Sequence, residues 1–386
     1  MSDGDTRGHI GNLYDFLTDY YDSRPREYSW LSGNWADFGQ WKTMARAKVF
    51  DLLSYFPKDA KLDAAVLSRI DRGTYAQEEI EFNTGAGVRV RGTLLLPHGG
   101  GRRPALIALH DHSGYYYSGR EKIVAQDCEP QALRNLKAST YSGRSWANVA
   151  AELGYVVLAI DAFYFGSRRL DLSTVNPVVL QESHREFSKA PAGSDNHIRL
   201  YNELAGSMET IVVKHIFFSG ATWPGILFHD DRRSIDYLST RAEVDPERIG
   251  CCGLSLGGFR SAHLAALDSR IKCCVAAGWM PSYRSMLYDR LRYHTYMVYV
   301  PGLAAHMDLP DVASLAAPNA LFIQQCARDR LFNMEGMRQA CDTIAAVYDK
   351  IDGQDRFQYR FYDNGHEFNQ TMQDNAFAWL GRWLQP

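Results

Sequence analysis

The chain has 386 residues, 46% of them hydrophobic and 12% aromatic, which is ample for a large buried core in one big domain or one and a half. Its 42 Lys and Arg against 45 Asp and Glu leave a formal charge of -3, so no basic excess points to nucleic acid or an anionic membrane. No apolar run approaches the roughly 20 residues that span a bilayer, and residues 1–25 show no basic-then-apolar leader pattern, so a soluble cytoplasmic protein is expected. Seven cysteines are an odd number, and four of them stand as the adjacent pairs Cys251-Cys252 and Cys273-Cys274. Neighbouring strand residues face opposite ways, so reduced thiols rather than a disulfide framework are the reading.

Residues 1–75 are helical in pattern and rich in aromatics, including Trp30, Trp35, Phe38 and Trp41, and read as an N-terminal helical extension. From Ala76 the rhythm changes. QEEIEFNTGAGVRVRGTLLLP (77–97) predicts two strands around a glycine-rich turn. ALIALH (105–110) and YVVLAID (155–161) are short apolar runs of the kind buried in a parallel sheet, with the helical SWANVAAELGY (145–155) between them, ending at Gly154. Residues 167–224 interrupt the alternation and hold the helical run HIRLYNELAGSMETIVVKHIFF (197–218). A structureless loop of that length is improbable, so a cap-like insertion partly covering the strand ends is expected.

Beyond it come a helix (226–241), a turn at VDPER (244–248), a strand at IGCCGLS (249–255) and a helix at LGGFRSAHLAALD (256–268). Strands at 271–279, 318–326 and 356–362 follow, with helices at 334–351 and 369–384. In the last helix Met372, Ala376, Leu380, Trp383 and Leu384 share one face. Alternating strands and helices after an antiparallel hairpin give an α/β class: a mostly parallel sheet covered on both faces, over residues 76–386. Ligands of such sheets bind at the carboxyl ends of the strands.

At one such end stands Gly253-Leu254-Ser255-Leu256-Gly257. A serine on a sharp strand-to-helix turn needs glycines two before and two after it, because a Cβ there would strike the neighbouring strand and helix. The pentapeptide alone is weak; its place between a buried strand and an amphipathic helix makes it a candidate nucleophile elbow. Cys251 and Cys252 lie upstream in the strand and read as inert core. A serine hydroxyl needs a base, and His366, in DNGHEF between the last strand and last helix, is the one histidine of twelve so placed. Asp329, after the preceding strand, is the acid expected to hold its tautomer, with Glu335 and Asp363 as rivals. The order Ser, Asp, His is that of α/β-hydrolases. Oxyanion donors are expected from the amide of Leu256 and from His112 or Ser113 in HDHSGYYYSG. His110, Asp111 and His112 as metal ligands is the lesser reading of that cluster, which lacks further ligands at suitable spacing.

ALHDHSGYYYSGREKI, GYVVLAIDAFYFGSR, VDPERIGCCGLSLGGFRSAHLAALDSRIK, CARDRLFNMEGM and DNGHEF together resemble the α/β-hydrolase superfamily, and more narrowly its dienelactone-hydrolase-like and acetyl-xylan-esterase-like branch. The resemblance covers about residues 77–386 and implies Ser255, Asp329 and His366 as its triad. Dienelactone hydrolases proper use a cysteine nucleophile, where this chain has serine.

Residues and resemblance together predict a serine hydrolase of the deacetylase or general esterase type, working through an acyl-enzyme on a small-molecule ester. No cofactor, metal, nucleic acid or membrane is expected, and a homo-oligomer is left open. Tyr115, Tyr116, Phe163, Tyr164, Trp279 and Met280 are the expected substrate walls, with packing of the insertion as their alternative role. Arg168 and Arg169 are candidates to meet an anionic substrate. The competing functions are a C–C or C–N hydrolase of the same fold, a prolyl-oligopeptidase-like peptidase, and a binding protein without turnover.

Overall fold

The computed structural model describes residues 8–180 and 183–385. Among these residues nine strands form one sheet: β1 (Ala65–Asp71), β2 (Tyr75–Gly85), β3 (Val88–Pro97), β4 (Arg103–Leu109), β5 (Val156–Ile160), β6 (Val244–Leu254), β7 (Ile271–Ala277), β8 (Ala320–Cys326) and β9 (Phe357–Tyr362). Their spatial order is β1-β2-β3-β5-β4-β6-β7-β8-β9. The first three strands and the β3–β5 pair are antiparallel, and every pair from β5 through β4 to β9 is parallel. The order reverses between β4 and its two neighbours. The switch point, where an open α/β sheet leaves a crevice for a ligand, therefore lies beside β4 and β6.

Parallel strands buried on both faces read as continuous apolar runs, and β4, β5, β7 and β8 are buried along nearly their whole length. Their side chains alternate between two cores. Cys251 and Cys274 belong to one, with Trp41, Phe228, Phe259 and Ile344; Cys252 and Cys273 belong to the other, with Trp146, Phe377 and Leu380. The adjacent cysteines thus point to opposite faces, and all seven thiols are free. Burial pushes Cys252, Cys273 and Cys274 well above the ordinary thiol range, so they resist forming thiolates.

The final helix, Gln370–Leu384, buries Met372, Ala376, Leu380 and Leu384 completely, one residue per turn and a bit. Each such leucine contributes roughly 1.5–3 kcal/mol. Trp383 sits on the flank of that stripe, half-buried, with Arg356 and Arg382 each 4.9 Å from its ring.

Two departures from the sequence reading concern the edges. Residues 1–75 do contain helices at Leu13–Asp22 and Phe38–Leu53, and the second buries Trp41, Ala45, Val49 and Leu53 at four-residue spacing. Their last part, however, is β1, an edge strand exposed along its length and paired antiparallel with β2. With no face to bury, it carries no alternation to read. At 244–248, residues read as a turn begin β6, where Val244 already pairs with Arg103 before the register shifts. The insertion holds the long helix Asp195–Phe218. Tyr164, just after β5, donates through its hydroxyl to the Ala205 carbonyl (3.0 Å), tying that helix to the strand end. Among the described residues no single helix is long and apolar enough to cross a membrane.

Candidate active site

Ser255 is the residue between β6 and the helix Leu256–Leu267, with φ 58° and ψ -117°. A non-glycine residue held there costs on the order of 1–3 kcal/mol and persists only where its surroundings enforce it. The surroundings are backbone. The Ser255 N–H donates to the Ala277 carbonyl at the end of β7 (2.8 Å). A Cβ on Gly253 would lie 2.4 Å from the Leu109 oxygen, one on Gly257 2.0 Å from the same oxygen, and one on Gly258 2.5 Å from the Ala277 oxygen. These glycines let the first turn of the helix press between the ends of β4 and β7. Leu256 opens that helix, so its amide is among the donors left without an intrahelical partner.

His366 and Asp329 lie on neighbouring loops that are laced together. The Ala327 and Arg328 amides donate to the Tyr362 and Asn364 carbonyls (2.8 and 2.9 Å). Arg328 also pairs with Asp363 at 3.1 Å. Across this seam His366 Nδ1 meets Asp329 Oδ2 at 2.5 Å, while Asp329 Oδ1 accepts the Leu331 amide at 2.8 Å. The Asp329 carboxylate is fully buried. Of the two rival acids, Asp363 is spent on Arg328, and Glu335 lies exposed at the start of the helix Met334–Lys350.

The imidazole lies over Gly278. A Cβ there would be 3.3 Å from His366 Cε1, and Gly278 follows the residue whose carbonyl holds Ser255. His366 Nε2 is buried and has no hydrogen-bond partner among the described residues. A buried nitrogen left unpaired is costly, and a reacting hydroxyl or a water is what would satisfy it.

The loop after β4 closes the other side. Its Leu109 and His110 carbonyls are those that crowd Gly257. His110 donates from Nδ1 to the Asp111 carbonyl (2.9 Å) and accepts the Ala162 amide at Nε2 (3.2 Å). Burial, with Lys122 and Arg260 nearby, keeps its pKa well below the usual range. Both ring nitrogens are thereby occupied, which leaves the metal-ligand reading of this cluster without its first donor. Asp111 accepts from the Tyr141 and Ser113 hydroxyls, and Ser113 takes the left-handed φ of 48°.

His112 Nε2 meets Glu209 Oε1 of the insertion helix at 3.0 Å, and the same carboxylate accepts from Tyr116 (2.8 Å) and Thr295 (2.8 and 2.9 Å). Burial alone would raise the Glu209 pKa; these hydrogen bonds outweigh it and hold it below the usual value. Glu209 was not singled out from sequence, because its partners lie 97, 93 and 86 residues away.

The aromatic residues expected as substrate walls are mostly engaged with protein. Tyr115 packs with Leu133 and Ile198, Tyr116 stacks on Phe165 at 5.3 Å, and Phe163 lies 5.9 Å from Trp223. The Met280 carbonyl accepts from Gln325. Arg168 pairs with the buried Asp230, and Arg169 lies over Tyr117 at 4.4 Å. Trp279 is different: with His294, Leu291 and Tyr299 it lines an apolar cavity of about 230 Å³. A run of rings leads from that cavity to His366, Trp279 to Phe332 (5.4 Å) and Phe332 to His366 (6.3 Å).

No family model matches the chain. A protein of Bacillus subtilis (strain 168) described as a hydrolase, YtaP, is 27% identical over 282 residues, 73% of this chain and 79% of its own length. An assigned acetyl xylan esterase of Bacteroides fragilis superposes with a TM-score of 0.67 at 16% identity, over 94% of this chain and 84% of that one. The glucuronoyl esterase of Solibacter usitatus gives 0.61 at 13% identity, over 93% and 97%. Acetyl xylan esterase 1 of a Thermoanaerobacterium gives 0.52 at 16%, over 89% and 94%. Likeness of this extent at such low identity is likeness of backbone architecture: the chain has the α/β-hydrolase fold.

Proposed function

We propose that the protein is a serine hydrolase that cleaves carboxylic esters, of the deacetylase or general esterase type. Asp329 fixes the tautomer of His366, with the proton on Nδ1 and the lone pair on Nε2. His366 Nε2 takes the Ser255 proton as Oγ attacks the ester carbonyl. The oxyanion is held by the Leu256 amide and by an amide of His112 or Ser113. Collapse expels the alcohol, protonated by His366, and leaves an acyl-serine. A water that gives its proton to the same imidazole then releases the acid and restores Ser255.

The observation that carries this reading is the His366–Asp329 contact of 2.5 Å together with an unpaired, buried Nε2 on a ring packed over Gly278, the residue after the one whose carbonyl holds the strained Ser255. The structural neighbours add support, since all three named above are esterases by name. The cavity behind Trp279 suits a small apolar acyl or alcohol group.

The test is hydrolysis of short-chain aryl esters and of acetylated xylan by purified protein, with labelling by a fluorophosphonate probe. Wild type should turn over and label, and Ser255→Ala should do neither. Unchanged turnover in Ser255→Ala would refute the assignment. Turnover confined to amides or to diketones would move it to another reaction of the same fold.

A further inference from the structure

Lys122 belongs to the short turn Arg120–Lys122 and is completely buried. Its ammonium donates to the main-chain carbonyls of Asp111 (2.8 Å) and His112 (2.9 Å) and lies 4.5 Å from the Phe165 ring. The nearby Asp111 carboxylate is already taken by Tyr141 and Ser113. The hydrogen bonds of this interior charge thus go to two successive peptide groups of one loop, while the Asp111, Glu121 and Asp161 carboxylates offset part of its burial. Burying an ammonium costs several kcal/mol, more than holding a loop requires, since a neutral donor would hold it too.

Which two peptides they are matters. A peptide group is planar and trans, so a carbonyl turned toward the ammonium turns the N–H of the next residue away from it. The Asp111 carbonyl fixes the His112 amide, and the His112 carbonyl fixes the Ser113 amide. Those are the two candidates for the second oxyanion donor. The preceding residues, Leu109 and His110, press on Gly257 in the first turn of the elbow helix.

We propose that Lys122 is a positioning residue for the oxyanion hole: its charge orients and polarises the peptides whose amides face the developing oxyanion. This rests on the acyl-transfer reading above. A cation at the carbonyl end draws electron density from the whole amide, so the N–H donates more strongly as negative charge grows. The effect is stronger in the transition state than with the neutral ester, and it should appear in kcat rather than KM.

Burial pushes the Lys122 pKa down to about 8. The groups that face it are Asp111 and His110 from the loop after β4, Asp161 from the end of β5, Arg260 from the elbow helix, and its chain neighbour Glu121. Asp161 is paired with Arg120, and Arg260 with Asp231. Lys122 therefore loses its charge in a range where the usual lysine keeps it, and the polarisation goes with it.

The experiment is kcat and KM against pH, corrected for spontaneous hydrolysis, on a soluble aryl ester. It compares wild type, Lys122→Met and Lys122→Arg, together with inhibition by a matched trifluoromethyl ketone. Wild-type kcat should fall above pH about 8. Lys122→Met should lower kcat by about tenfold to a hundredfold, below the roughly 10²–10³ lost with an oxyanion donor itself. Its KM should stay within about threefold of wild type, its inhibitor affinity should fall in step with kcat, and its alkaline limb should vanish. Lys122→Arg should regain part of the rate and keep it past that limb, because a guanidinium does not titrate there.

A folded Lys122→Met with wild-type kcat and pH profile overturns the proposal, as does a wild type with no alkaline limb. If Lys122→Met does not fold, an alkaline limb that persists in Lys122→Arg overturns it. A wild type that neither labels with the fluorophosphonate nor cleaves esters sinks the acyl-transfer reading and this inference together. An active, labelled wild type with indifferent Lys122 variants sinks this inference alone.

Discussion

Gly257→Ala is the substitution that most sharply tests the elbow. Local propensity favours it: the residue is in a helix with ordinary φ, where alanine is better than glycine by about 1 kcal/mol. Packing opposes it. The new Cβ would stand 2.0 Å from the Leu109 oxygen, 2.9 Å from the Leu109 carbon and 3.1 Å from the His110 oxygen, all main-chain atoms that no rotamer change can move. Reaching an ordinary contact of about 3.4 Å needs a separation of about 1.4 Å. β4 lies between β5 and β6, with Leu109 in register with Gly253, so the helix is the partner free to give. Its displacement carries the Leu256 amide and Ser255 away from His366.

A misplacement of about 1 Å costs on the order of 100-fold in rate, and the overpacking costs about 1–3 kcal/mol, which exceeds the propensity gain. The assay is kcat/KM on an aryl acetate with thermal unfolding of the same samples. Gly100→Ala, whose Cβ would meet open space, serves as the control. A Gly257→Ala protein that retains both the wild-type unfolding temperature and a kcat/KM within threefold of wild type would refute this account of the elbow.

Three further outcomes are expected. Asp329→Asn keeps the volume but can donate to His366 Nδ1, reversing the tautomer, and kcat should fall by about 10⁴ with little change in KM; a loss under tenfold would speak against Asp329 as the partner acid. Arg260 and Asp231 form a completely buried pair with two contacts of 2.9 and 2.6 Å that locks the elbow helix to the helix Trp223–Thr240. Arg260→Met should cost about 3–5 kcal/mol in urea unfolding, and adding Asp231→Leu should return much of it, because the orphaned charge is what costs; no recovery would contradict that account. His263 is completely buried, with a pKa lowered to about 4 by burial. Since the unfolded chain takes up this proton near pH 6.5 and the folded one only near 4, stability should fall on acidification through that window, by about 1.4 kcal/mol per pH unit for this one proton. Above the window the ring is neutral in both states and contributes nothing to the slope. His263→Phe should show a shallower loss than wild type between pH 7 and 5, and equal slopes would exclude His263 as the source.

Much of the site was legible because its signals are local. The glycines around Ser255 form a pattern five residues long, although the backbone that crowds them belongs mostly to the ends of β4 and β7, and the strand-loop-helix settings of Asp329 and His366 can be read from apolar runs and a turn. The parallel strands β4 to β8 were legible for a related reason: burial on both faces makes their apolar runs unbroken. β1 left no such mark, being exposed along its length. The helix Gln131–Tyr141 also went unread; it buries only Leu133, Lys137 and Tyr141, one of them charged.

The sequence by itself determined the order of strands β2 to β9, a glycine-framed serine and the two residue types able to serve it, because each leaves a steric or apolar pattern a few residues long. Tertiary structure alone decided that Asp329 and not Asp363 reaches His366, that the tyrosines after β4 pack rather than stand free, and that Glu209 and Lys122 grip the loop beside Ser255. Those outcomes depend on which side chains meet across separate elements of the chain. A buried lysine or glutamate is indistinguishable from a solvated one until its partners, and the water it has lost, are known.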